Sequence, residues 1–344
     1  VARSNSATMI AAAAGTNRVP YIRIYINSVD YSSRLLFAEV IEEPYRDRGT
    51  FIFRNDDRLF DDVNLIGRSF QPGWGYTTGA GNEYCGDGTN DGTPTLWVKN
   101  QEIISLPGRV VCQLYCEGMW MRLRERQIIS VGGSAPYWLG DYDGSTTTIY
   151  GIIEDIIEDD ISWTLNPKPS PDDGILDTFK PVFRINSSEF EMSAFALYRL
   201  ISMTKCYLRQ KSATTWEIVF PQDADSVDET YYSHSADGHP FKEYMERVTE
   251  VIPNRIIVYA NNPNGEDPWP SGIITGDSGA YSGNYVEVKE HHIAPTITSQ
   301  GDADNRAAAI LTRLKAEGLA GRVIVPHDNR VELYDKVSVQ DSRG

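Results

Sequence analysis

Carboxylates are the groups in this sequence best placed to do chemistry. Glu154, Asp155, Glu158, Asp159 and Asp160 stand close together. A glycoside hydrolase needs two carboxyl groups facing each other across a sugar, usually beside aromatic rings, and Trp74, Trp97 and Trp120 are the obvious rings here. The spacing argues for something else. Ile149, Ile152, Ile153, Ile156 and Ile157 alternate with the acids at helical intervals, so the isoleucines form the buried stripe of an amphipathic helix that begins after Thr148. The acids then form its solvated face. Asp56, Asp57, Asp61 and Asp62 fall where turns are expected, because an Asp side chain satisfies nearby backbone. Metal ligation is equally thin. The loop Asp87 to Gly92 lacks the alternating acids and terminal glutamate of a calcium loop. His291 and His292 are adjacent and point to opposite faces of a strand, while His234 and His239 flank a Gly-containing segment that reads as a surface turn. Cys112 and Cys116 share a strand face too far apart to chelate one ion easily, and read as buried thiols. No nucleophile elbow, phosphate loop or dinucleotide fingerprint occurs. No catalytic residue, metal site or cofactor is expected.

The elements that position these residues belong to a large globular chain. Its 344 residues, 41% hydrophobic and 23% charged, leave room for two or three domains and exclude a disordered polymer. With 32 Lys and Arg against 48 Asp and Glu, the net charge of −16 excludes a protein that grips nucleic acid through its phosphates. No apolar run approaches the length of a membrane span. Four cysteines, Cys85, Cys112, Cys116 and Cys206, are too few for a disulfide framework and suit a reducing cytoplasm. Residues 7–14, mostly Ala, predict a short N-terminal helix or arm.

Strand patterning dominates the first region. Residues 21–26 alternate, 35–41 are apolar, 49–53 begin another strand, and 95–104 and 109–120 predict a hairpin across Leu106-Pro107-Gly108. The glycines of Gly67 to Tyr76 bend the chain as a barrel corner requires. After Gly144 the composition changes. The acidic helix is followed by a second helix starting at Ser188, capped with Glu191 and burying Phe190, Ala194, Leu197 and Ile201, and then by a hairpin over 205–209 and 216–220. Strands return at 255–260 and 285–288, separated by a long Gly- and Asn-rich loop, and Asp304 is placed to cap a helix that Gly318 ends. The predicted fold is mainly β with an α+β insert: two small β-barrels of similar fold flanking a mixed α+β domain. The boundaries expected are 1–143 for the first barrel with its arm, 144–250 for the insert and 251–344 for the second barrel with one helix.

One pattern links the ends of the chain. Phe51-Ile52-Phe53-Arg54-Asn55-Asp56-Asp57-Arg58, followed by Leu65-Ile66-Gly67-Arg68, is echoed by Val323-Ile324-Val325-Pro326-His327-Asp328-Asn329-Arg330, followed by Leu333-Tyr334-Asp335-Lys336. Asp56, Arg58 and Gly67 in the first copy and Asp328, Arg330 and Asp335 in the second mark what reads as the same strand–turn–strand unit used twice.

The succession from Phe53 to Asp62, then Gly67-Arg68 to Gly73-Trp74-Gly75-Tyr76, Thr95-Leu96-Trp97-Val98 and Cys116-Glu117-Gly118-Met119-Trp120 resembles baseplate hub proteins of tailed bacteriophages. The likeness extends to the hub part of tail-associated proteins and to type VI spike proteins. Residues 331–343 resemble the final barrel segment of that family. The resemblance implies a homotrimer whose two barrels per chain make a pseudo-sixfold ring, a symmetry adapter between the tail tube and a threefold spike. Its implied partners are its own copies, the tail tube or distal tail ring protein, the central spike or tip protein and the tape measure protein. DNA would pass through without specific binding, the chain would not enter a membrane, and the virion tail tip, assembled in the host cytoplasm, would be its location. Glu154, Asp155, Glu158, Asp159 and Asp160 would then be solvated or face the bore, where negative charge repels phosphate. Two further readings stay open at this level: a tail protein that binds or hydrolyses glycans in host recognition, and a free-standing β-sandwich adhesin.

Overall fold

The structure is a computed structural model that describes residues 3–128, 142–185, 191–234, 238–262, 271–281, 286–295 and 297–342. Strands hold 37% of the chain and helices 20%, so the protein is mainly β. Its most regular part is a five-stranded antiparallel sheet of Leu35–Glu43, Arg46–Arg54, Arg109–Glu117, Leu96–Leu106 and Ser69–Phe70, in that spatial order, curled into a half-barrel. The hairpin turns at Pro107-Gly108, where Gly108 adopts the left-handed φ of 77° that favours glycine. Alternation puts Phe51, Phe53, Cys112, Leu114 and Cys116 on the concave face, all fully buried with Leu65, Leu96 and Val98. A register shift between Tyr115 and Cys116 adds to the bend of the sheet. Residues 21–26 do not make one strand. The strand Pro20–Arg23 ends at Ile24, whose N–H donates to Ser32 Oγ, and Tyr25–Ile26 turns back through Asn27 and Ser28 at positive φ. Ile24 and Ile26 still plug the half-barrel.

Trp120 lies in a helix, not in the preceding strand. Met119–Glu125 turns Met119, Trp120 and Leu123 into a second core shared with Ile149, Ile152, Ile153, Ile156 and Ile157. The isoleucine stripe therefore works as its spacing predicts. Thr148 caps it, its Oγ1 accepting from Gly151 N–H at 3.2 Å, although the helix Ile149–Glu154 continues as a π-helical stretch over Asp155–Asp160. The second helix of the insert is Ser193–Ile201, with Ala194, Leu197 and Ile201 buried; Ser188 and Phe190 lie outside the described residues. Trp97, Trp163, Trp216 and Trp120 form a chain of ring contacts with centroids 5.9–6.4 Å apart, so Trp97 and Trp120 serve packing.

The last region departs further from expectation. The strand predicted at 285–288 is Lys289–Ala294, running parallel to Arg255–Ala260. The buried Asn254 side chain instead holds Val286 O and Val288 N–H, at 3.1 and 2.9 Å. Within the long loop, Ile274–Asp277 pairs antiparallel with Arg255–Ala260. The helix covering this sheet is Gln300–Gly318, capped by Ser299 and not by Asp304, which sits one turn inside and accepts from Asp277 N–H at 3.1 Å. Gly276 makes the packing possible, because a Cβ there would lie 2.1 Å from Ala303 O of the helix. Pairing also reaches across residue 250: Glu229–Tyr232 pairs with His239–Pro240 and Val337–Gln340, and Glu243–Val248 with Leu319–Ile324. Strands ahead of residue 250 thus join the C-terminal ones, and the helix Met119–Glu125 ahead of residue 144 joins the insert core. Among the described residues, no helix is long and apolar enough to cross a membrane.

Where sheet and insert meet, Asp47 is 3% exposed above the start of Met119–Glu125. Gly118 leaves it room, since a Cβ there would fall 1.3 Å from Asp47 Oδ2. Burial pushes this carboxyl up to about 6, only partly offset by Gln210 and the Met119 N–H. A folded-state value above the unfolded one means the folded chain binds the extra proton, so stability is highest below about pH 4 on this account and falls as pH rises towards 6. That loss is about 3 kcal/mol. Asp47→Asn is expected to raise stability at neutral pH by about 2 kcal/mol and to flatten that slope, checked by urea unfolding at acidic and neutral pH.

Candidate functional site: the closing segment

The two copies of the echoed unit meet different environments. In the first, Phe53 leads into a surface turn: Arg58 adopts φ 62°, Arg34 pairs with Asp57 at 2.6 Å, and Asn55, fully buried, accepts from Phe60 N–H and donates to Asp61. Asp56 and Arg58 are exposed, and Gly67 turns at φ 77° in open space. In the second copy the turn is a junction. Asn329 donates to Trp74 O and Cys85 Sγ and accepts from Asn5, while Arg3 N–H donates to Arg330 O at 2.8 Å. The Tyr76 hydroxyl donates to His327 O. Residues 326–336 are thereby clamped between the N-terminal arm, the first β region and the insert.

Charge completes the clamp. Arg209, in the strand Tyr207–Gln210, and Lys211, just past its end, reach into the closing segment. The Arg209 guanidinium, 2% exposed, bonds Asp335 at 2.7 Å, Leu333 O at 3.1 Å and Glu217 at 2.7 Å. Glu332, 1% exposed, meets Arg3 at 3.1 Å and Lys211. Asp335 also accepts Glu332 N–H through its other oxygen. These charges are buried in mutual pairing, the condition under which buried ions are tolerated.

A second cluster surrounds Asp328. Arg330 holds it in a two-pronged pair at 3.0 and 2.8 Å and reaches Glu229 at 2.6 Å, and the Tyr231 hydroxyl donates to Asp328 at 3.3 Å. His239 packs against this group with Nδ1 3.4 Å from Asp328 and Nε2 3.1 Å from Pro326 O. It is 3% exposed, so the surface turn expected at 234–239 is corrected at its second histidine. Sequence reading found Asp328, Arg330 and Asp335 but not Arg209, Glu229, His239 or Glu332. One available signal was Arg209 and Lys211, two residues apart where a predicted strand ends, a cation pair that calls for carboxylates nearby.

The acidic helix does not present one face to solvent. Glu158 and Asp159 are exposed, Glu154 and Asp155 are half-buried, and Asp160 is buried beside Arg126 at 3.5 Å. Tyr142 donates to Asp155 at 2.9 Å and Leu165 N–H to Glu158 at 3.0 Å. Asp160 follows Ile156 and Ile157 by four and three residues, so helical spacing itself places it on the buried isoleucine stripe. Cys112 and Cys116 are buried free thiols, as are Cys85 and Cys206, and burial pushes Cys112 and Cys116 up to about 12. Asp87 is occupied as a turn acceptor for Tyr84, Thr89 and Asn90 N–H groups. A groove of about 930 Å³ runs beside the clamp, lined by Pro167, Pro169, Pro171, Tyr281, Lys315 and Lys336. Glu217 and Asp335 in its wall are both paired with Arg209.

No family model matches the sequence, and no curated protein matches it. Solved structures do. A tail protein from Neisseria meningitidis MC58 superposes with a TM-score of 0.63 at 10% identity, covering 94% of this chain and 87% of that one. The 43 kDa tail protein of prophage MuSo2 from Shewanella oneidensis superposes with a TM-score of 0.61 at 12% identity, covering 94% and 89%. The chain has the fold of phage tail proteins. The agreement runs nearly end to end, so the half-barrel, the insert and the closing segment are all parts of that one architecture.

Proposed function

We propose that this chain is a structural component of the phage tail tip, a baseplate hub that forms a trimeric pseudo-sixfold ring, joins the tail tube to the central spike or tip, and lines the channel through which DNA leaves. The near end-to-end fold match to two phage tail proteins carries the reading. Exposed strand surface supports assembly with other chains. Leu35–Glu43 ends the five-stranded sheet, with no strand beyond it among the described residues, and bears exposed Leu36 and Phe37. Among the described residues the ribbon of Glu243–Val248 and Leu319–Ile324 has no further strand, and it exposes Tyr244 and Met245. A two-stranded ribbon is marginal in water alone, so burial against a neighbour stabilises it. The net charge of −16 suits a bore that DNA slides past, with Glu158 and Asp159 the residues of the acidic helix available to it. The reading includes three units per chain with two related β regions, in a virion assembled in the host cytoplasm.

Light scattering on the purified chain is expected to give three times the mass of 38.5 kDa. Images of the assembled particle are expected to place three copies around the tail axis with the acidic surface inward. A particle in which this chain lies off the axis, or lacks threefold order, refutes the hub.

A further inference from the structure

The Asp328 cluster holds one atom that the packing leaves unused. A carbonyl oxygen only accepts, so Nε2 of His239 carries the proton it shares with Pro326 O. Nδ1, on a ring 3% exposed, has no hydrogen-bond partner and faces Asp328 Oδ2 at 3.4 Å. Two acceptors pointing at each other in a buried site call for a cation between them.

Ligand atoms of Glu229, His239 and Asp328 all lie within 4.8 Å of one another. A tetrahedral ion with ligands at about 2.1 Å separates them by roughly 3.4 Å, the spacing Nδ1 and Oδ2 already have. Glu229, whose side chain is 15% exposed, has the freedom to close the remaining gap. We propose that His239 Nδ1 and one carboxylate oxygen each from Asp328 and Glu229 bind a first-row divalent cation such as Zn2+. One imidazole and two carboxylates form a donor set that suits such an ion and balances its charge. Arg330 is the competitor, since it now neutralises both acids. Asp328 Oδ1 keeps the Arg330 Nε and main-chain N–H at 3.0 and 3.1 Å while Oδ2 turns to the ion. The ion cross-links Glu229–Tyr232, His239–Pro240 and the closing segment, which short parallel pairings otherwise join.

The test uses the tag-free full chain after chelator treatment. Co2+ is expected to produce a visible d–d band that saturates at one equivalent. Zn2+ at 100 times its dissociation constant is expected to raise Tm by roughly 5 °C. His239→Gln and Glu229→Gln should each weaken Co2+ binding by about 100-fold or more, above the range for loss of an outer-shell partner. Glu229→Gln leaves the buried histidine in place, and its far-UV circular dichroism checks that it folds. Absence of the cobalt band, or binding undiminished in both variants, as a surface site at His291 and His292 would give, overturns the proposal.

Discussion

Arg209→Met is expected to destabilise the chain by about 3–5 kcal/mol, the cost of removing one partner from a buried ion pair. Methionine fills much of the same volume, so the effect isolates charge from packing. Lys211 still reaches Glu332, which leaves Asp335, 2% exposed, as the carboxylate that loses its guanidinium partner. Thermal unfolding should report a Tm lower by roughly 4–7 °C. Adding Asp335→Leu should recover most of the loss, because replacing a whole buried pair by apolar groups is often close to neutral. If the single substitution costs under about 1 kcal/mol, the clamp is not what secures residues 326–336. Since Arg209 leaves the insert and Asp335 closes the chain, the same measurement tests whether insert and C-terminal segment unfold together.

Phe53→Ala should cost about 3–5 kcal/mol, and the matching substitution in the other copy, Val325→Ala, only about 1 kcal/mol. Phe53 is fully buried and meets Phe60 and Tyr31 at centroid distances of 5.5 and 6.3 Å. Val325 is half-buried at the edge of the junction. Chemical denaturation of the two variants, with midpoints compared at constant slope, measures the difference. Equal losses would mean that the two copies carry equal core burdens, contrary to their surroundings here. The echo is therefore a likeness of sequence whose energetic roles differ: the first copy plugs a half-barrel, and the second holds parts of the chain together.

Features governed by near neighbours were legible in the sequence. Strand-type runs at 35–41, 49–53, 95–104 and 109–120 marked four strands of the five-stranded sheet, Pro107-Gly108 marked its hairpin, Thr148 marked a helix start, and the isoleucine stripe marked which side of that helix is buried. Each depends on residues within a few positions of one another, where side-chain direction and turn geometry are fixed by the backbone. The net charge and the broad mainly β class were likewise settled by composition and pattern. Boundaries slipped where a distant partner intervened. Ser299 took the cap from Asp304 because Asp304 serves Asp277, and the strand at 285–288 gave way to 289–294 because Asn254 holds the backbone ahead of it. What only the tertiary structure decided was the fate of the charged residues. His239 and Pro326 stand 87 positions apart and Arg209 and Asp335 stand 126 apart, so nothing local distinguishes these side chains from solvated ones. Burial, and with it whether a carboxylate is paired, protonated or free to take an ion, is set by which segments the fold brings together.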